Sequence, residues 1–340
     1  MIPVPDTIPV HWLWFEVLLV VTFLLHLLLM NGLLGTSLIS SFNFLRGKEF
    51  EKQSLSLPTL VALTVNFGIP PLLFIQVLYG NLFYSSTIIM ALPWLLIIPL
   101  LIVAYYCTYI FVFKKEVSRN FAGINIIIAS IILLYIGFMM TNNYTLMLVP
   151  ESWKIYFEND SGKFLNLSEP TLIPRYLHFV VAAIAISGLW KSVVAKFKNL
   201  GEKNISIGLK IFAYTTIIQI VIGLWFLLTL PSEMIKNFMG NDVIATAVLI
   251  LAIVSTLLSI FSALKGKLNI TIITAIITVF LMILQREFLM RYYLNDIFKP
   301  EDMVVDSEYG SLIMFLITFI IGLIVLYYMI RMIFKSKAEV

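Results

Sequence analysis

The chain has 340 residues, of which 60% are hydrophobic and only 12% charged, and its mean hydropathy is +0.98. Soluble domains run at roughly 45–50% apolar and about 25% charged residues, so this composition excludes a water-soluble fold and makes lipid the solvent. The single cysteine, Cys107, excludes a disulfide framework, a cysteine zinc site and covalent c-type haem attachment. Nothing in the sequence points to nucleic acid.

A membrane-spanning helix takes about 20 mostly apolar residues. Nine such runs are predicted, near 11–41, 58–80, 86–113, 121–142, 173–195, 207–230, 242–264, 268–293 and 310–333. The expected fold is an all-α polytopic bundle forming one transmembrane domain over 1–340. No basic segment precedes the first run, which is also too long for the apolar core of a secretory signal, so it is expected to remain as a span. In span two, Pro70-Pro71 is expected to interrupt the helix and free carbonyls near Asn66 and Phe67. A short turn is expected at Tyr79–Ser86.

Charge gives the orientation. With the N-terminus outside and the C-terminus cytoplasmic, the inner loops hold 16 of the 23 basic residues, among them Arg46, Lys48, Lys114, Arg119, Lys191, Lys265 and Arg331. Fourteen of the 19 acidic residues fall on or near the other side. This is the asymmetry of the positive-inside rule; the location expected is a prokaryotic cytoplasmic membrane. The outer acids concentrate in Pro150–Pro170 (Glu151, Glu158, Asp160, Glu169) and Asn295–Gly310 (Asp296, Glu301, Asp302, Asp306, Glu308). Such a face suits a basic partner, a c-type cytochrome or another redox subunit, as well as plain solvation. Trp153, Tyr156 and Phe157 suggest that the first of these segments is a helix lying on the membrane surface.

Three histidines are present: His11, His26 and His178. His26 lies deep in span one, where a neutral imidazole needs either a neighbouring helix to bond to or a metal. Haem iron asks for only one or two axial ligands and an apolar slot. His178 opens span five, three residues after Arg175, so an axial imidazole could sit below a guanidinium that meets haem propionates. His11, beside Trp12 and Trp14, reads as an aromatic-belt residue. Glu16, in span one, is a candidate to carry a proton or pair with an arginine. At the end of span eight, Glu287 and Arg291 are expected to form an i,i+4 pair, leaving Arg286 for a propionate, a quinone carbonyl or Glu16. Met282 and Met290 are candidate sulfur ligands, and Gln76, with Glu16 and Arg291, a proton or quinone candidate.

The placement of His26 in the first span and His178 at the start of the fifth, in a nine-span chain with an outward N-terminus, resembles the large haem-bearing subunit (subunit I) of cytochrome bd quinol oxidases. Asn66-Phe67-Gly68 with Gln76–Ser85, and Asn142–Pro150, resemble segments of that family too. The likeness covers roughly the first 230 residues, with 11–230 as the bd-like core and 242–333 as additional helices. It implies haem b, one or two groups, with His26 and His178 as ligands and a methionine from a later helix opposite the second. The chain departs from the family in having no long loop after span six for quinol and no acid between Tyr84 and Val112. Oxygen reduction is therefore not expected. The function expected is electron transfer between the quinone pool and an outer redox partner. A haem-free quinone-binding anchor of a redox complex and a secondary transporter are the alternatives.

Overall fold

A computed structural model describes residues 3–157 and 162–338; Glu158 and Asp160 of the acidic segment lie outside them. Nine helices among the described residues are long and apolar enough to cross a membrane. We label them α1 (Trp12–Leu45), α2 (Leu57–Met90), α3 (Ile97–Lys114), α4 (Arg119–Leu148), α5 (Leu172–Phe197), α6 (Glu202–Leu228), α7 (Val243–Leu264), α8 (Leu268–Leu294) and α9 (Gly310–Ala338). No strand forms among the described residues. A single parallel bridge, Ile8 to Val305, ties the N-terminal segment to the stretch before α9. The chain is thus a multi-pass helical bundle, as its composition requires.

The helices pack in two groups. The first is α1–α4 and the second α5–α8, with α1 against α5 as the main seam and α9 resting on α2 through Phe315 on Phe74 at 5.1 Å. Lipid tails are as apolar as leucine, so the seam depends on close backbone approach and on polar contacts between helices. At Gly35 a Cβ would fall 1.9 Å from the Ala183 carbonyl oxygen. One residue on, Thr36 and Ser187 bond hydroxyl to hydroxyl at 2.9 Å. Lys191, one turn beyond Ser187, bonds Glu51 at 2.5 Å and pins the α1–α2 connection to α5. Gly35→Leu should therefore separate the two groups. The expected result is loss of a monodisperse, folded species on size exclusion, where Gly322→Leu, with open space around it, has no such effect.

Helix ends follow from local chemistry. Gly47 (φ +70°) and Gly266 (φ +71°) take the left-handed conformation that closes α1 and α7, and their amides reach back to Phe44 and Ala263. Asp242 caps α7: Oδ1 accepts from the amides of Ile244 (2.9 Å) and Ala245 (3.0 Å), and Oδ2 accepts from the Tyr292 hydroxyl at 2.8 Å. Donation from the Ala245 amide foremost, helped by the other two, holds its carboxyl below the usual carboxylate range. Its stabilisation is therefore complete above the ordinary carboxylate pKa of about 3.9 and is lost as pH falls through the lowered folded value. Asp242→Ala should cost about 1 kcal/mol at neutral pH, read as a lower Tm, and the gap from wild type should close in acid.

Three expectations are corrected. The anticipated turn at Tyr79–Ser86 is only a kink at Tyr79, after which α2 runs on to Met90, with the Ser86 and Thr87 hydroxyls bonding back to carbonyls of their own turn. The chain instead reverses at Ala91 (φ +46°), where Pro93 helps start the short helix Leu92–Leu95. Pro70-Pro71 does not take α2 out of helical geometry; the departure is at Tyr79 (φ −130°, ψ 25°). Finally, Pro150–Phe157 is a 3-10 turn tucked against the bundle rather than a surface helix. Trp153 is buried and donates its indole N–H to the Leu146 carbonyl at 2.9 Å, leaving Phe157 exposed.

Candidate functional site

The sequence candidates gather toward the end of the bundle where α1 begins, the end that the charge distribution assigns as outer. On α5, the Arg175 guanidinium lies 5.0 Å from the Tyr144 ring centroid and 4.7 Å from that of Phe226. On α8, Arg286 lies 4.4 Å from the same Tyr144 ring and 4.9 Å from Phe23 of α1. Two cations thus flank one half-buried tyrosine, each held over aromatic faces. Arg286 is neutralised by its neighbour Glu287. Among the described residues no carboxylate lies within ion-pair distance of Arg175.

Several buried polar atoms in this region lack hydrogen-bond partners of ordinary geometry. They include Nε and Nη2 of Arg175, Nδ1 of His178, the Tyr144 hydroxyl and Nε2 of Gln285. Gln219 Oε1, one turn before Gly223 on α6, is another. Buried polar groups are nearly always satisfied, and a desolvated guanidinium without an anion is the costliest exception. The cluster has the chemistry of a receptor for an acidic, mostly apolar group.

His178 presents its ring to Gly223 of α6, where a Cβ would stand 3.2 Å from Cε1. His26 presents its ring to Gly68 of α2, where a Cβ would stand 2.8 Å from Cε1. Both glycines act as cradles for an imidazole. His26 Nδ1 lies 3.0 Å from the Thr64 carbonyl oxygen, which can only accept. Nδ1 therefore carries the proton and Nε2 keeps its lone pair, the tautomer an axial ligand needs.

The α1–α5 seam sets the relative depth of the two histidines. With Thr36 opposite Ser187, His26 lies ten residues above Thr36 and His178 nine above Ser187. At about 1.5 Å per residue the two are level, yet they face α2 and α6 respectively, so they belong to separate slots. Phe23 links the regions, stacked 6.4 Å from His26 and under Arg286. Met282 is half-buried on α8, one turn inward of Arg286, as His178 lies one turn inward of Arg175.

The remaining candidates form a second network. Arg291 bonds Glu16 at 2.5 Å and Glu301 at 3.2 Å and lies over the Trp12 ring. The expected Glu287–Arg291 pair is not made, and Arg286 does not reach Glu16. Glu287 turns to Arg286, while α1 brings Glu16 to Arg291, a tertiary contact that helical spacing does not reveal. His11 caps α1, with Nδ1 accepting from the Leu13 amide at 3.3 Å. No described hydrogen bond ties half-buried Gln76 to either network. Sequence reasoning missed Tyr144, Phe23, Phe226, Gly223 and Tyr79. Of these, Tyr144 carried a signal, a tyrosine after two asparagines where an apolar span should be ending.

No protein-family model and no curated protein matches the chain.

Proposed function

We propose that the chain is a haem b electron-transfer subunit, a divergent relative of the large bd oxidase subunit, linking the quinone pool to a redox partner at the outer end. One observation carries this reading: Arg175, His178, Tyr144 and Arg286 converge in one region, with buried polar atoms of the first three left without a hydrogen-bond partner of ordinary geometry. Haem b fits that chemistry, since its propionates are anions for Arg175 and Arg286, its ring is apolar, and its iron takes imidazole and thioether ligands. His178 and Met282 are the ligand candidates there, and His26, with Nε2 free, is the candidate for a second haem. When bound, haem supplies one-electron transfer. The protein's own part is to hold the imidazoles in their glycine cradles, to balance propionate charge with guanidinium, and to exclude water with Phe23, Tyr144 and Phe226.

Exposed Asp302 and Asp306, with Glu151, give the outer end acidic groups suited to a basic cytochrome c-type partner. The setting we propose is a prokaryotic cytoplasmic membrane, with Arg46, Lys114, Arg119 and Lys265 at the inner surface. A haem-free quinone-binding anchor is the second reading, favoured by the Glu287 carboxylate that already neutralises Arg286. A pyridine haemochrome assay on the purified chain separates the two. Haem b at one or two per chain supports the first reading, and none supports the anchor.

A further inference from the structure

The Arg291 network borders a half-open cavity of about 190 Å³, walled by Leu294, Phe298 and Pro300, with Tyr79, Arg291, Asn295, Lys299 and Glu301 also lining it. Tyr79 sits where α2 leaves helical geometry, and its ring meets Phe298 nearly edge-on at 5.8 Å. Arg291 is fixed from two sides by Glu16 and Glu301. The cavity therefore offers apolar wall from Leu294, Phe298 and Pro300 together with guanidinium and ammonium donors, an amide, a carboxylate acceptor and a phenol.

We infer that this cavity binds the headgroup of a quinol. The size is right for one substituted ring, since an apolar cavity of about 150 Å³ already holds benzene. A quinol hydroxyl can donate to Glu301, and a quinone carbonyl can accept from Arg291, so both redox forms find a partner. The place also fits. Arg291 ends α8 near Leu294 and lies over Trp12, an aromatic of the kind that marks the membrane interface. Arg291 is five residues from Arg286, about 7.5 Å along the helix axis, which brings the ring close to the interior cluster. The location differs from the loop after span six, which is short here. The inference rests on the electron-transfer reading for its purpose, but binding itself requires no haem.

The test is photoaffinity labelling of the detergent-solubilised full chain with an azido-quinone, peptide mapping of the adduct, and competition by decylubiquinone. Label on 76–82 or 291–301, displaced by the competitor, is the expected result. Phe298→Ala should weaken decylubiquinone binding about tenfold. Tyr79→Phe, which keeps the ring and its packing, should weaken it several-fold. Label mapped to other segments, label that the competitor does not displace, or binding unchanged in both variants would overturn the assignment. Haem content is measured on the same preparations. A haem-free chain with label on these segments overturns the haem reading and leaves the quinol site standing, whereas a haem-loaded chain with label elsewhere does the reverse.

Discussion

His178→Ala should strip one haem b from the chain, read as the loss of one equivalent in the pyridine haemochrome assay and of its band in the dithionite-reduced spectrum. The ring has a prepared place: Gly223 leaves room for it on α6, and Arg175 stands one turn above with guanidinium nitrogens unpartnered. Gly223→Leu should have the same spectral effect without touching the ligand, because its Cβ would already crowd Cε1 at 3.2 Å. His26→Ala should act differently. Its Nδ1 bond to Thr64 joins α1 to α2 deep in the first group, so the variant should lose folded yield as well as any second haem, a large-to-small change inside a bundle commonly costing a few kcal/mol. Spectra unchanged in both histidine variants would leave the haem-free anchor as the better account.

The architecture was legible because lipid imposes it. Nine apolar runs could become little other than nine helices, since every backbone amide and carbonyl must be satisfied within the segment. Helix ends were less legible where polarity is not what decides them. Ser86 and Thr87 look like turn residues, yet inside a helix their hydroxyls bond back to Phe83 and Tyr84. The break itself is smaller than a turn: only Tyr79, the first residue of the expected turn, leaves helical geometry. His26, His178, Arg175 and Arg286 could be picked out because buried ionisable groups are expensive and so conspicuous. Their partners could not. Tyr144, Phe23 and Phe226 are ordinary residues of apolar helices until three helices bring them under the two guanidinium groups. The pairing of Arg286 and Arg291 was misassigned for the same reason, because spacing along α8 cannot show that α1 delivers Glu16 to Arg291.

Glu287→Gln should be among the most destabilising single changes in the protein. The carboxylate is only 5% exposed and is the ion-pair partner of Arg286. Around Tyr144 there are two half-buried cations, Arg175 and Arg286, against this one paired carboxylate. Removing one partner of a buried pair costs about 3–5 kcal/mol, chiefly because the other charge stays behind in a medium of low dielectric. Here it would leave two guanidinium groups facing the same ring with no described carboxylate in ion-pair contact with either. Arg286→Leu combined with Glu287→Leu should recover much of the loss, since an apolar replacement of the whole pair leaves no charge stranded. The size of the effect also bears on what occupies the cluster. Propionates at Arg175 and Arg286 would supply the missing negative charge, so haem-loaded chain should tolerate Glu287→Gln better than chain prepared without haem. The measurement is the Tm of wild type and variant in detergent, with and without haem. A Tm drop that is equal in the two preparations would mean that no bound anion shares the charge with Glu287, and Arg175 and Arg286 would then lose their role as propionate partners.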